Sequence, residues 1–328
     1  MQKVLIIGSR GMLGQELVRV FRKDDDFEVV GWDKDEIDIT KKEEVRKKLV
    51  ALKPDIILNA AAYNAVDKCE ESDEEFEKAK DLNGLAPGYI AEVSREIGAI
   101  FVHYSTDYVF GAEMPDIPEP EGCAGACSSC SLHEGFEPEI GFDENSKPAP
   151  VNKYGESKLM GEKEVQKKGE KYYIVRLSKL FGIPAQAEGA KKSFFDIMLE
   201  VGKAELSSGK VELSSDKKKK SVSVVDEETS SFTYAPDLAK KTKEIIEAKK
   251  EYGIYHIVNS DPCTWYEAVE ELYAMTELKI KIEPVSGDEF PRPAQRPYFS
   301  VLLNKKLNPL RSYKEALYEY LKENKENK

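Results

Sequence analysis

The chain has 328 residues, of which 49 are lysine or arginine and 61 are aspartate or glutamate, giving a net charge of −12 at neutral pH. This length allows one or two domains with a sizeable core, and the acidic balance argues against nucleic acid or an anionic membrane surface as a partner. No apolar run approaches the ~20 residues of a membrane helix, and the first strand begins at once. We therefore expect no membrane span and no signal peptide, and we predict a cytoplasmic protein.

The N-terminal segment predicts a strand, a glycine-rich turn and a helix. Residues 3–7 form a short apolar run, and residues 15–22 have helical periodicity. The glycines between them are spaced G-x-x-G-x-x-G, which suits a turn that brings the backbone close to a pyrophosphate at a helix N-terminus. A plain strand-to-helix connection is the alternative. The dinucleotide contacts predicted here are Gly8, Arg10, Gly11, Met12, Leu13 and Gly14.

The second predicted strand, residues 27–32, is followed by charged residues that bear on the choice of dinucleotide. Asp33 can hydrogen-bond the ribose hydroxyls of NAD. Lys34 can instead neutralise the 2′-phosphate of NADP. The sequence presents both residues, so NAD and NADP both stay open as the cofactor.

Strands are also predicted at residues 55–59 and 99–104, and small or hydroxylated residues follow them. Small residues after the third strand let the backbone pass close to a flat cofactor, and the contacts predicted there are Ala60, Ala61 and Ala62. Thr106 follows the fourth strand, where ligands bind in open α/β sheets, and it is placed to hydrogen-bond a substrate oxygen. A helix cap is the alternative role for this threonine.

Tyr154 and Lys158 are four residues apart, so on a helix they share one face. An ammonium group beside a phenol favours the phenolate, and we therefore expect the pKa of Tyr154 to lie below its usual value. A phenol tuned in this way can deliver a proton to a carbonyl oxygen. A solvated helix face is the alternative for this pair taken alone.

The chain resembles extended short-chain dehydrogenase/reductases, and among them the dTDP-4-dehydrorhamnose reductase family. The resemblance runs from end to end, apart from two insertions. The matching pieces are residues 8–14, 59–70 (NAAAYNAVDKCE), 105–110 (STDYVF), 154–162 (YGESKLMGE), 253–256, 265–266, 289–297 (EFPRPAQRP) and 300–302.

The resemblance implies an enzyme that transfers a hydride from NAD(P)H to the 4-keto carbon of a nucleotide-linked deoxysugar. Thr106, Tyr154 and Lys158 would form its catalytic set, with Tyr154 and Lys158 also touching the cofactor. Asn83 would lie near the catalytic lysine. The residues expected at the sugar nucleotide are Asp67, Asp107, Tyr108 and Arg296.

Two segments depart from the family pattern. Lys179 stands where the family commonly has a tryptophan, and residues 227–233 read EETSSFT where the family commonly reads Asp-Gln-x-Gly-x-Pro-Thr. Both segments come near the sugar in the family fold, so these changes should alter what binds. Trp265, at a predicted helix start, is expected to pack in the core rather than to face the substrate.

The order of elements predicts an α/β fold, with a Rossmann-like, doubly wound parallel sheet and a smaller interleaved C-terminal substrate lobe. We assign residues 1–182 to the dinucleotide-binding domain, which carries an insertion at about 112–147, and residues 183–328 to the substrate lobe. Parts of the second region, about 222–260, are expected to return to the first domain. A homodimer is the default oligomeric state.

The insertion carries Cys123, Cys127 and Cys130, with His133 as a possible fourth ligand. Clustered thiols in a cytoplasmic protein suggest a metal before a disulfide. Zinc bound by three cysteines and one histidine, or an iron–sulfur cluster, would fit this spacing. Reduced thiols with no ligand are the alternative.

Two other functions remain open beside the reductase. The chain could be a non-catalytic, cofactor-binding regulatory subunit, because some relatives serve in that way. It could also be a sugar-nucleotide epimerase or dehydratase of the same superfamily. The complete set of Thr106, Tyr154 and Lys158 favours an enzyme over a regulator.

Overall fold

Six parallel strands form the central sheet of the protein, in the order β2-β1-β3-β4-β5-β9. In the computed structural model the described residues are 1–115, 139–185, 192–207 and 221–326. The strands of this sheet are β1 (Gln2–Ile7), β2 (Phe27–Trp32), β3 (Ile56–Asn59), β4 (Ile100–Thr106), β5 (Tyr172–Leu177) and β9 (Gly253–His256). All of their pairings are parallel.

Helices cover both faces of this sheet, because successive strand residues point to opposite sides. Val4 and Ile6 of β1 belong to one core, whereas Leu5 and Ile7 belong to the other. The first core is closed by α1 (Met12–Arg22) and α8 (Ala235–Glu247). The second is closed by α2 (Lys42–Leu52), α5 (Ala86–Ile97) and α6 (Lys153–Lys168). Two short helices, α3 (Lys68–Glu71) and α4 (Asp73–Ala79), precede a π-helical turn at Lys80–Leu85.

The sheet changes winding direction between β1 and β3. The chain passes from β1 to β2 on one side, and then crosses to β3 on the other side of β1. In open α/β sheets, ligands bind at the carboxyl ends of the strands flanking such a switch point. Gly8 and Ala60 immediately follow β1 and β3, so this edge is the candidate ligand site.

A third core lies in the C-terminal half and is rich in aromatic side chains. Phe195, Phe232 and Tyr320 are almost completely buried there. The elements outside the main sheet are β6 (Leu180–Phe181), α7 (Phe194–Ser207), β7 (Ser221–Val225), β8 (Thr233–Tyr234), α9 (Trp265–Met275), β10 (Lys281–Val285) and α10 (Tyr313–Glu326). Strand β7 pairs with β10, and β6 pairs with β8.

The predicted fold class is confirmed: the sheet is Rossmann-like, and a smaller unit is interleaved with it. Strand β9 and helix α8 come from the C-terminal half and yet belong to the first sheet and its core. The predicted boundaries at 182 and 183 stay a prediction. One element boundary differs from expectation, since α1 begins at Met12 rather than at residue 15.

The two ends of the predicted insertion are joined by backbone hydrogen bonds. Gly111 and Pro150 form an antiparallel bridge, and the N–H of Ala112 donates to the carbonyl of Ala149 over 2.9 Å. Residues 116–138, which include the cysteine cluster, lie outside the described part of the chain. None of the helices within the described ranges has the length and apolar character needed to cross a membrane.

Candidate active site

The turn after β1 forms a glycine cradle, in which backbone atoms lie so close together that side chains are excluded at two positions. Gly8 has φ +78°, a left-handed conformation that favours glycine. A Cβ added to Gly14 would lie 2.0 Å from the carbonyl oxygen of Gly8, and one added to Gly8 would lie 2.8 Å from the backbone nitrogen of Ala61. Helix α1 begins directly after Gly11, and its first N–H groups have no partner within the helix. This geometry fits the pyrophosphate of a dinucleotide.

Beside this turn lies a pocket of about 320 Å³ that is suited to the adenosine half of a dinucleotide. Its walls include Gly8, Gly11, Asp33, Lys34, Ala60, Ala61 and Ala62, all predicted cofactor contacts. The carboxylate of Asp33 accepts a hydrogen bond from the backbone N–H of Arg10 over 3.1 Å. The Arg10 guanidinium donates to Asp35 over 2.6 Å, so its charge is already engaged.

A neighbouring cleft of about 370 Å³ contains the three predicted catalytic residues, Thr106, Tyr154 and Lys158. Gly11, Met12, Leu13 and Gly14 of the glycine turn line the same cleft. The positions of Tyr154 and Lys158 follow from the close packing of α6 against the turn after β4. A Cβ on Gly155 would lie 2.1 Å from the carbonyl oxygen of Tyr108, so only glycine permits this contact.

The phenol of Tyr154 does not have the lowered pKa that the sequence suggested. Burial raises its pKa, the carboxylate of Asp107 raises it further, and a hydrogen bond with Thr106 opposes the rise. The expected lowering by Lys158 is therefore wrong for this structure. Tyr154 is protonated at neutral pH, which is the form that a proton donor needs.

Lys158 is buried and is directed at the backbone rather than at a carboxylate. Its Nζ donates to the carbonyl of Tyr104 over 2.6 Å. Burial lowers its pKa to about 8, although the charge of Glu162 opposes this. Asn83, in the π-helical turn, donates to the hydroxyl of Ser157 over 3.0 Å, so it lies close to Lys158 as the resemblance implied.

Asp107 is placed to orient Thr106 rather than to contact a ligand with both oxygens. The Thr106 hydroxyl donates to one carboxylate oxygen over 3.0 Å, and Ser300 donates to the other over 2.7 Å. Burial raises the pKa of Asp107, while these hydroxyls and others nearby lower it. Tyr108 lines the cleft, and its ring packs edge-on against Tyr154 with the centroids 5.8 Å apart.

The two remaining predicted substrate residues, Asp67 and Arg296, form an ion pair with each other over 2.8 Å. Burial is the largest influence on Asp67 and raises its pKa, but the hydrogen bond and charge of Arg296 outweigh it, and the pKa is lowered. Arg296 borders a separate pocket of about 320 Å³, which also includes Arg292. These residues thus lie beside the catalytic cleft and not inside it.

Sequence reasoning missed part of the cleft wall. Trp265, expected in the core, packs on Phe194 but also lines the cleft together with Lys179. Its indole N–H donates over 2.8 Å to Glu228, which in turn pairs with Arg292. The position of Trp265 at a helix start was the only local signal, and it does not distinguish core from cleft.

A larger cavity of about 470 Å³ lies between α9 and α10. Glu267, Glu270 and Glu271 line it, and none of the predicted site residues does. Three carboxylates repel the phosphates of a nucleotide. This cavity is therefore a poor candidate for the nucleotide site.

The predicted metal ligands are not tested by the structure. Cys123, Cys127, Cys130 and His133 all fall within residues 116–138, outside the described ranges. Among residues 1–115, 139–185, 192–207 and 221–326, no cluster of histidine, cysteine and acidic side chains is suited to a metal ion.

The fold and the cleft together define an α/β protein of the dinucleotide-binding, short-chain dehydrogenase/reductase type. A family model described as the RmlD substrate binding domain matches residues 1–326, and the chain belongs to that family. The family predicted from the sequence is thereby confirmed.

Individual relatives are similar over their whole length. The spore coat polysaccharide biosynthesis protein SpsK of Bacillus subtilis is 31% identical, and the match covers 98% of each chain. A dTDP-4-dehydrorhamnose reductase from Clostridium acetobutylicum superposes with a TM-score of 0.81 at 31% identity, covering 98% of this chain and 99% of the other. A second one, from Bacillus anthracis in complex with NADP, superposes with a TM-score of 0.79 at 29% identity and the same coverage.

Proposed function

We propose that this protein is an NAD(P)H-dependent reductase that acts on the 4-keto group of a nucleotide-linked deoxysugar, as a dTDP-4-dehydrorhamnose reductase does. The oxidoreductase class agrees with the names of its relatives. The observation that carries the proposal is the cleft in which Thr106, Tyr154 and Lys158 meet the glycine turn. A regulatory subunit would have no need of a buried, hydrogen-bonded phenol facing that turn.

The residues of the cleft divide the work between binding and proton transfer. The turn from Gly8 to Gly14 would hold the pyrophosphate of the dinucleotide. When bound, the dinucleotide supplies the hydride. Thr106 and Tyr154 hydrogen-bond the ketone oxygen. On reduction, the electron pair of the carbonyl double bond would move to oxygen, and Tyr154 would donate its proton to that oxygen.

Lys158 and Asp107 support the binding of the cofactor and the positioning of Thr106. Lys158 lines the same cleft and would hold the nicotinamide ribose, because its ammonium group can donate to ribose hydroxyls. Thr106 donates to Asp107 over 3.0 Å, which keeps the threonine side chain in place before the substrate binds. Because a hydroxyl has one donor hydrogen, Thr106 gives up this bond when it donates to the ketone oxygen. The Asp67–Arg296 pair belongs on the nucleotide side, where the guanidinium can contact a phosphate.

The substitution Tyr154→Phe tests the proposal. Phenylalanine keeps the ring that packs against Tyr108 but has no proton to give, so kcat should fall by about 100- to 10,000-fold while the cofactor dissociation constant stays unchanged. The assay is NAD(P)H oxidation with a keto-sugar nucleotide, set beside cofactor titration by fluorescence.

Tyr63→Phe is the matched control. Tyr63 is a partly buried tyrosine of the same aromatic cluster, and its hydroxyl bonds Glu75 away from the cleft. This variant should keep its activity. A Tyr154→Phe enzyme with a kcat close to that of the wild type would remove the role assigned to the phenol.

A further inference from the structure

Lys179 is a cation inside the catalytic cleft, held on an unusual backbone conformation. It lies between β5 and β6 with φ +38°, a region that non-glycine residues seldom adopt. Its side chain lines the cleft together with Thr106 and Tyr154. Such conformations persist where the surrounding structure enforces them, and they concentrate at functional sites.

The ammonium group of Lys179 lies over two aromatic rings and makes one long hydrogen bond. Its Nζ lies 3.8 Å from the ring centroid of Trp265 and 5.1 Å from that of Phe232. It donates to the backbone carbonyl of Glu228 over 3.3 Å. Within the part of the chain that the structure describes, Lys179 has no ion pair with a carboxylate.

Two of the carboxylates whose charges act on Lys179, those of Glu228 and Asp107, are already engaged by other donors. Glu228 accepts from the indole N–H of Trp265 over 2.8 Å and pairs with Arg292. Asp107 accepts from Thr106 and Ser300. An ammonium group has three donor hydrogens, so Lys179 retains hydrogen-bonding capacity toward the cleft.

The charge state of Lys179 reflects this desolvated environment. Burial lowers its pKa to about 8, while the charges of Cys263, Asp107, Glu228 and Glu267 act in the opposite direction. The side chain is therefore largely protonated at neutral pH. A desolvated cation is costly unless its donors are satisfied, and an apolar group placed against it would leave them unsatisfied.

We propose that Lys179 selects the sugar, by donating a hydrogen bond to an oxygen substituent of the ring, so that the preferred substrate carries a hydroxyl or a carboxylate at the position facing Trp265. This inference rests on the proposed function and deepens it. An analogue with hydrogen at that position leaves a buried donor unpaired, and sites built in this way discriminate strongly against such analogues.

Binding of unreactive sugar nucleotides to the NADPH-loaded enzyme tests the proposal directly. The probes are dTDP-glucose, its 2-deoxy, 3-deoxy and 6-deoxy analogues, and dTDP-glucuronic acid, each titrated by calorimetry. The wild type should bind dTDP-glucose at least about tenfold more tightly than one of the deoxy analogues, since a hydrogen bond to a charged group is lost. Tighter binding of the glucuronic acid derivative would identify a carboxylate as the preferred acceptor, and weaker binding would identify a hydroxyl.

The variant Lys179→Met keeps the packing on Trp265 and removes the charge. It should bind dTDP-glucose and the discriminated deoxy analogue about equally. Lys306→Met is the matched control. Lys306 also lies over an aromatic ring, 5.1 Å from the centroid of Tyr255, and it donates over 2.9 Å to the backbone carbonyl of Ile254, near the amino end of β9. In the wild type the preference should weaken as the pH rises past about 8, and Lys179→Met should lack this dependence.

The outcomes separate this inference from the function on which it rests. The inference is overturned when Lys179→Met keeps the binding profile of the wild type, when it weakens every probe equally, or when the wild type binds none of the probes. Failure of the reductase proposal would be seen instead in the turnover of Tyr154→Phe, which the binding profile does not measure.

Discussion

The two halves of the cleft are built in different ways. The cofactor half consists largely of backbone, contributed by the short segments that follow β1 and β3. The substrate half includes side chains from separate parts of the chain, among them Lys179 and Trp265. Glu228 accepts hydrogen bonds from both and pairs with Arg292 beside the cleft. Each segment of the first half is a run of near neighbours in sequence, whereas the second half combines single residues from distant parts of the chain.

Under the proposed function, this difference leads us to expect that one half binds the cofactor and the other selects the substrate. A Cβ at Gly14 would lie 2.0 Å from the Gly8 carbonyl oxygen, so the backbone cradle admits little variation. The substrate half is lined instead by side chains such as those of Lys179 and Trp265. We therefore expect changes in the first half to abolish cofactor binding, and changes in the second to alter sugar affinity.

The substitution Gly14→Ala should have the largest effect on this comparison. Overpacking costs about 1–3 kcal/mol even where neighbours can move, and here the neighbour is a backbone carbonyl. The cofactor dissociation constant should therefore rise by about 100-fold or more, which titration by fluorescence measures. Circular dichroism would establish that the variant is folded.

Gly287→Ala is its control in the substrate half. The added carbon would lie 3.7 Å from its nearest neighbour, an ordinary contact. Cofactor affinity should stay within about twofold of the wild type, as for most surface substitutions. Equal losses in the two glycine variants would contradict the distinction between the halves.

The substitution Glu228→Gln should have an intermediate effect that is confined to the sugar. The carboxylate raises the pKa of Lys179 through its charge, so its removal lowers that pKa further below about 8. As the pH rises, Lys179 then loses its proton earlier, and the KM for the sugar nucleotide should begin to increase at a lower pH than in the wild type. We expect a KM about tenfold higher at neutral pH, because Arg292 also loses its partner.

The cofactor dissociation constant of Glu228→Gln should be unchanged. The variant would then alter sugar affinity without altering cofactor affinity. The measurement is a pH series of KM at saturating cofactor. A variant whose KM follows the same pH curve as the wild type would show that Glu228 does not act on Lys179.

The smallest expected effect concerns the choice between NADH and NADPH. Arg10 is held by Asp35 over 2.6 Å, and both side chains are about half exposed. The substitution Asp35→Asn removes the shortest of the ion pairs of Arg10 and leaves those with Asp33 at 3.6 Å and Glu36 at 4.0 Å. The guanidinium is then freer to turn toward a 2′-phosphate, so kcat/KM for NADPH should rise relative to NADH. Exposed ion pairs contribute under about 1 kcal/mol, so the shift should be about two- to fivefold.

Asp24→Asn is the matched control for this variant. Asp24 also pairs with a cation over 2.8 Å, but its partner is Lys243 on α8. Its cofactor preference should equal that of the wild type. An unchanged preference in Asp35→Asn would mean that Arg10 does not reach the cofactor.

Much of the site was predictable because its signals are local. The spacing of Gly8, Gly11 and Gly14 predicted a turn between a strand and a helix. The separation of four residues between Tyr154 and Lys158 predicted that they share one helical face. Thr106 was predictable because it ends a buried strand. In each case the physical rule links residues a few positions apart, so a single sequence is sufficient to apply it.

The remainder depends on contacts between distant residues. The pKa of Tyr154 could not be predicted from Lys158 alone, because burial raises it and Asp107 adds to the rise. The pairing of Asp67 with Arg296 joins residues 229 positions apart. Trp265 could be assigned to the cleft only once α9 had been packed against Lys179.

The sequence by itself determined the fold class, the glycine cradle and the catalytic candidates, because turn geometry and strand and helix periodicity act over short range. Only the tertiary structure decided which charges are desolvated and which donors lack a carboxylate partner. Desolvation depends on the total surroundings of a group, and for Lys179 those surroundings come from α9 and the segment between β7 and β8, with the charge of Asp107 nearby.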